Sequence, residues 1–259
     1  MLFLYSVTIA IVGLILKIAA LFNRKLKLFF DGRKGVFGHL ENTLKNERVI
    51  WFHTASLGEF EQGLPVIEEV KNTHPQHKIL VTFFSPSGYE VKKNSTAAHI
   101  ITYLPLDTQA NAKKFIKAVN PELAVFIKYE FWPNYLSTLK KNGVKTLLIS
   151  GIFRREQVFF KPWGGFMRHS LKSFQHFFVQ DEDSQALLNS IGFTNVTVSG
   201  DTRFDRVLEI LQRDNTLDFI TDFKQDKLCV VAGSTWPEDE ALLIKHINND
   251  KTATKYIIA

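Results

Sequence analysis

The chain predicts an α/β fold, a parallel sheet with helices on both faces, preceded by an apolar N-terminal segment. Between residues 49 and 199, short β-prone apolar runs alternate with helical stretches, the order expected of repeated strand–helix units. The first apolar run ends in small residues that turn into a helix, as strand-to-helix connections do. Residues 2–22 are almost wholly apolar. A length of 259 residues exceeds the usual single domain, so two domains, or one and part of another, are expected.

Residues 2–22 are broken only by Ser6, Thr8, Gly13 and Lys17. About 20 apolar residues match a hydrocarbon layer about 30 Å thick. Arg24, Lys25 and Lys27 follow the run and no basic side chain precedes it, which is opposite to a cleaved secretory signal. Those cations place the body of the protein on the cytoplasmic side, with Lys17 able to snorkel towards it. Length and flanking charge favour spanning or deep insertion, and lying in the interface is the rival because Lys17 interrupts the run. Residues 28–47 are basic and contain the turn Asp31-Gly32-Arg33-Lys34-Gly35. They read as a solvated linker or as a phosphate or headgroup contact.

Val49, Ile50, Trp51 and Phe52 open a strand, and Thr54-Ala55-Ser56-Leu57-Gly58 turns it into a helix at Glu59. Ligands of open α/β sheets bind beyond the carboxyl ends of strands, so Glu59 is placed to act on a substrate. It is equally an acid in a first helical turn, favoured by the dipole. Leu64, Ile67 and Val70 recur at helical spacing over 60–70, with Pro65 expected near the first turn. Strands follow at 78–84, 99–104, 123–128, 144–150, 176–180 and 195–199. Helices fall at 89–94 and 110–119 and around Met167 and Leu187. His53 reads as support for the first turn rather than a proton carrier.

Ser85-Pro86-Ser87-Gly88 follows a strand, and its amides and hydroxyls could hold an anion or a sugar, although it lacks the full phosphate-loop pattern. Glu130 lies at another strand-to-helix junction, where it either caps a helix starting at Phe131 or enters the same crevice as Glu59. Arg154 and Arg155 suit phosphate, and Phe159, Phe160, Trp163 and Phe166 interleave with basic residues as at a membrane interface. The polar stretch 212–227 reads as a linker. A new strand at 228–232 then ends in Gly233-Ser234-Thr235 before a helix near Pro237.

A net charge of +6 points to acidic partners: anionic lipid or a phosphorylated substrate, and not nucleic acid, because no binding module accompanies the charge. The single Cys229 excludes an internal disulfide and provides no metal cluster, and it reads as a small buried strand residue. No metal and no cofactor are expected.

Trp51-Phe52-His53-Thr54-Ala55-Ser56-Leu57-Gly58-Glu59 fits the pattern W-x-H-x-A-S-x-G-E. In order after it come Phe83-Phe84-Ser85-Pro86-Ser87-Gly88, Leu104-Pro105-Leu106-Asp107, Tyr129-Glu130-Phe131-Trp132-Pro133-Asn134, Val198-Ser199-Gly200-Asp201-Thr202-Arg203-Phe204-Asp205 and Ala232-Gly233-Ser234-Thr235. These six segments together resemble the 3-deoxy-D-manno-octulosonic acid (Kdo) transferases, which add Kdo from CMP-Kdo to the lipid A precursor. Many members carry a glutamate where this chain has Lys128, so no acid role is carried over there.

The resemblance implies a glycosyltransferase B-type fold. A membrane-anchor segment (1–27) would precede a Rossmann-like acceptor-binding domain (28–211), a linker (212–227) and the start of a Rossmann-like CMP-Kdo domain (228–259). It implies inverting transfer to lipid IVA at the cytoplasmic face of the inner membrane, with Glu59 as general base. Ser56, Gly58, Ser85, Ser87, Gly88, Glu130, Arg154, Arg155, Arg203, Ser234 and Thr235 would contact substrate. The family's glycine-histidine donor motif is expected beyond Ala259, so the chain reads as incomplete and inactive by itself. A different B-type nucleotide-sugar transferase and a non-catalytic membrane-associated sugar- or lipid-binding domain remain the alternatives.

Overall fold

A computed structural model describes residues 1–212 and 214–259. They form two compact units, Met1–Leu208 and Glu209–Ala259. The linker expected over 212–227 includes Arg213, which lies outside the described residues.

In the first unit, α1 (Leu2–Ala19), α2 (Arg24–Asp31) and α3 (Val36–Thr43) precede a seven-stranded sheet. The strands are β1 (Val49–Thr54), β2 (Lys78–Phe83), β3 (Ile100–Tyr103), β4 (Pro121–Ile127), β5 (Lys145–Gly151), β6 (His176–Val179) and β7 (Val196–Val198). Their order is β3-β2-β1-β4-β5-β6-β7, and every pairing is parallel. Connecting them are α4 (Leu57–Thr73), α5 (Pro86–Lys92), α6 (Gln109–Val119), α7 (Pro133–Lys141), α8 (Gly165–Leu171) and α9 (Glu182–Ser190). This doubly wound layout reverses between β1 and β4, the switch point beside which such sheets bind ligands.

β1 is an interior strand between β2 and β4, and all six of its residues are buried. Its side chains alternate between two cores. Trp51 packs on Phe115, Phe126 and Tyr135 on one face. Ile50 and Phe52 join Phe60, Leu64 and Ile67 of α4 on the other. Each large apolar side chain buried this way contributes roughly 1.5–3 kcal/mol.

Three expectations are corrected. α4 starts at Leu57 and runs to Thr73, so Pro65 lies mid-helix and cannot donate to the Glu61 carbonyl. Residues 28–47 are not a solvated linker, because α2 and α3 occupy most of them and Val36, Leu40 and Leu44 are buried. Gly32 sits there because a Cβ would lie 2.2 Å from the Tyr103 ring, and Gly35 because its φ is +73°. Cys229 is partly exposed rather than buried.

α1 is long and apolar enough to cross a membrane by length and composition. After α10 (Arg203–Leu211), the second unit holds α11 (Asp218–Lys224), then β8 (Cys229–Ala232) and β9 (Lys255–Ile258) paired in parallel, with α12 (Pro237–Asn249) between them. Among its described residues none is buried.

Candidate active site

Glu59 stands in the first turn of α4, just past the carboxyl end of β1. The turn is closed reciprocally: Ser56 Oγ accepts from the Glu59 amide at 3.4 Å, and Glu59 Oε2 accepts from the Ala55 and Ser56 amides at 2.5 and 3.1 Å. Burial of the carboxylate, and after it the neighbouring charge of Glu130, push the Glu59 pKa up to about 7. The two amides and Lys128 pull the other way without prevailing. A carboxylate poised near neutrality is matched to general-base work.

Glu130 follows β4, on the other side of the switch point. It is buried, and its Oε2 accepts from Trp132 Nε1 at 2.6 Å and faces His53 Nε2 at 3.2 Å. His53 Nδ1 lies 2.9 Å from Thr82 Oγ1, which also accepts from Trp51 Nε1 at 2.8 Å. With a proton on Nε2, His53 donates to Glu130 and can accept the Thr82 hydroxyl at Nδ1. His53 therefore supports Glu130 through the sheet, with Trp51, Thr82 and Trp132 completing the set.

Glu130 does not cap a helix. α7 begins at Pro133, and its free amides at Asn134 and Tyr135 donate to the Asp107 carboxylate at 3.2 and 3.0 Å. Asp107 is almost wholly buried, and that burial pushes its pKa up to about 6 against the pull of those two amides. The Leu104-to-Asp107 segment was the available signal, but nothing local in it shows a cap formed 27 residues away.

Of the other expected site residues, Ser56 caps α4, and a Cβ on Gly58 would meet nothing within 4 Å, so the first turn of α4 is open there. Ser85 and Ser87 share a hydroxyl contact of 2.8 Å, and the Ser85 amide donates to the Ala55 carbonyl, tying this turn to the Glu59 turn. Gly88 is buried, and a Cβ on it would lie 2.8 Å from the Leu57 amide nitrogen, so it serves the close approach of α5 to α4. Arg154 and Arg155 line a different cleft with Asp183 and Leu187. Arg203 is paired with Asp201 and exposed. Ser234 and Thr235 lie in the second unit, where the Thr235 hydroxyl contacts Glu240 at 3.2 Å.

Arg33 is not free for phosphate. Its guanidinium donates to the carbonyls of Phe29, Phe84 and Leu104 and lies 3.5 Å from the centre of the Phe29 ring, and burial lowers its pKa to about 9. Lys128 holds a left-handed φ of +67° at the end of β4. A cleft of about 960 Å³ opens at the amino ends of the strands beside Arg48, Glu122 and Lys145. It lies at the opposite end of the sheet from Glu59, and Arg48 there is held by bidentate bonds of 2.8 and 2.9 Å to Glu122.

Residues 31–206 match the family model described as 3-deoxy-D-manno-octulosonic-acid transferase (kdotransferase). A 3-deoxy-D-manno-octulosonic acid transferase of Rickettsia bellii is 29% identical over 213 residues, covering 80% of this chain and 49% of the relative. One from Chlamydia trachomatis is 25% identical over 250 residues, covering 89% and 57%. One from Aquifex aeolicus reaches 37% over 98 residues, covering 37% and 27%. The chain thus spans about half the length of the curated relatives it matches. Among solved structures, the UDP-GlcNAc 2-epimerase of Neisseria meningitidis superposes with a TM-score of 0.61 at 15% identity, over 82% of this chain and 64% of that one. A putative UDP-N-acetylglucosamine 2-epimerase of Listeria monocytogenes gives 0.58 at 10%, over 82% and 62%. These likenesses establish the glycosyltransferase B-type fold. A family model that matches from the last residue of α2 into α10, on a chain whose Glu59 and Glu130 follow the two strands at the switch point, identifies this protein as a member of the Kdo transferase family.

Proposed function

We propose that this chain binds the acceptor in an inverting transfer of Kdo from CMP-Kdo to lipid IVA, with Glu59 as the general base. The observation that carries the reading is the state of Glu59: a carboxylate at the switch point, fixed by two backbone amides, with its pKa raised to about 7. As the acceptor hydroxyl oxygen bonds to the anomeric carbon, its proton passes to a Glu59 oxygen and the bond to CMP breaks, CMP leaving with that electron pair. A single displacement inverts the anomeric centre. Glu130, anchored by His53 and Trp132, keeps negative charge beside Glu59 and raises its proton affinity.

Ser56, Gly58, Ser85 and Ser87 border the turns next to Glu59 and are assigned to the acceptor sugar. Gly88 is assigned there through the backbone packing it permits. Arg154, Arg155 and Arg203 are assigned to the acceptor phosphates. Ser234 and Thr235 are assigned to the donor. The domain scheme, an anchor over 1–27, an acceptor domain over 28–211, a connection over 212–227 and a donor domain from 228, belongs to the same proposal, as does a site of action on the cytoplasmic face of the inner membrane.

The test is transfer from CMP-Kdo to lipid IVA by Glu59→Gln beside the unsubstituted parent, both joined to the donor domain of a Kdo transferase relative. Removing the base while keeping size and hydrogen bonding is expected to lower turnover by about 10²- to 10⁴-fold, with the circular dichroism spectrum unchanged. Near-parental turnover would falsify the base assignment.

A further inference from the structure

α1 meets the rest of its unit through one stripe. Leu2, Tyr5, Ser6, Ile9, Gly13, Leu16, Ala19 and Ala20 are the covered positions, recurring every three or four residues along one helix face. At the amino end, Ser6 Oγ donates to Asn134 Oδ1 at 2.9 Å, and the Tyr5 ring lies 5.7 Å from that of Phe166. Leu2 borders a small cavity with Lys140 and His169. In the middle, Gly13 lies so close to Leu106 that a Cβ would sit 2.8 Å from its Cδ1. At the carboxyl end Ala20 is buried.

The covered stripe mixes Leu2, Ile9 and Leu16 with small and polar residues, while the outward face is dominated by large aliphatic ones. Leu4 is 65% exposed, Ile11 54%, Ile15 59% and Ile18 57%. A helix shielding its own domain from water shows the opposite arrangement. Leu21 and Phe22 extend the apolar surface past the helix end, and exposed Lys17, Arg24, Lys25, Lys27 and Lys34 border it.

Docking along the whole helix is incompatible with crossing a bilayer. Eighteen residues rise about 27 Å, close to the thickness of the hydrocarbon. If α1 stood along the membrane normal, the groups docked at its amino end, among them Asn134, Lys140 and His169, would be drawn into lipid beside it. Exposed polar groups and irregular backbone are not tolerated there.

We propose that α1 lies in the plane of an anionic phospholipid surface, its stripe held on the α/β unit and its opposite face sunk into the acyl boundary, so that the protein is monotopic rather than membrane-spanning. The bordering cations select negatively charged headgroups, and in-plane helices of this kind reach about 5–10 Å below the headgroups. Arg33 takes no part, because three carbonyls already hold it.

The test uses the full 259-residue chain with Cys229→Ser, reconstituted in phosphatidylethanolamine–phosphatidylglycerol vesicles. One spin label at a time is placed at Leu4, Ile11, Ile15 and Ile18, and its depth is read from oxygen and nickel accessibility. All four positions are exposed, so labelling leaves the fold intact. An in-plane helix places the four at one shallow depth, while Ala10 and Lys17 are shallower. Replacing Lys25→Glu or Lys27→Glu is expected to weaken vesicle partition roughly fivefold each, and not with phosphatidylcholine alone. A depth profile that deepens from Leu4 to the bilayer centre near Ile11 and returns towards the headgroups at Ile18 would overturn the proposal in favour of a span. Labels that meet no lipid at all would overturn it in favour of a protein partner on that face.

Discussion

At the scale of single residues, two effects compete at Glu59 and their sizes decide between them. An acid in a first helical turn gains about 0.3–1 kcal/mol from the dipole. A carboxyl whose pKa rises from 4.5 to about 7 loses up to roughly 3 kcal/mol of folding stability once ionised, so burial wins. The sign follows from proton binding: between these two pKa values the folded state holds more protons than the unfolded one, so stability falls as pH rises through the window. Glu59→Gln should therefore match the parent near pH 4 and be more stable at pH 8, read from urea midpoints. The same charges predict opposite shifts in the pH profile of transfer. With a relative's donor domain joined to the chain, the rising limb of kcat/KM, expected at about pH 7, should move to lower pH in Glu130→Gln and to higher pH in Lys128→Gln, since Glu130 raises and Lys128 lowers the Glu59 pKa. Limbs unmoved in both variants would separate Glu59 from the observed titration. The placement of Glu59 was legible in its sequence, because a strand followed by small residues and an acid describes its turn. Its proton affinity was not, because Glu130 and Lys128 lie about 70 positions away along the chain.

At the scale of elements, the strands of the sheet were legible as apolar runs, and the interior ones most of all, since burial on both faces demands uninterrupted Val, Ile, Leu and Phe. Helix ends were less so. Pro65 drew the expected start of α4 too close to itself, whereas the Ser56–Glu59 box fixes the start at Leu57. Gly32 and Gly35 read as punctuation in a linker, yet one is a contact with Tyr103 and the other a left-handed start to α3. The cap of α7 shows the same limit. Asp107 holds two α7 amides from a separate loop, and Asp107→Ala should lower stability by about 1–2 kcal/mol, measured as a reduced urea midpoint with an unchanged slope. Asp107→Asn keeps an acceptor oxygen and should recover part of the loss.

At the scale of the whole molecule, the order β3-β2-β1-β4-β5-β6-β7 brings the turns after β1 and β4 to one crevice, although more than 70 residues separate them. Alternation along the chain announced a parallel sheet, but strand order is a property of crossovers and had to come from the fold. The two units also differ in what they bury. Met1–Leu208 encloses two aromatic-rich cores, whereas no described residue from 210 onward is buried, and Leu228, Val231 and Leu242 are 69%, 63% and 68% exposed. Few apolar contacts mean a small free energy for local opening. In deuterated buffer the amides of β8, β9 and α12 should exchange within seconds to minutes, while those of β1 and β4 wait for global unfolding. A dilute protease should accordingly cut first beyond Leu208 and leave the sheet-bearing body intact, so the clock that limits the lifetime of the intact chain runs in its last fifty residues.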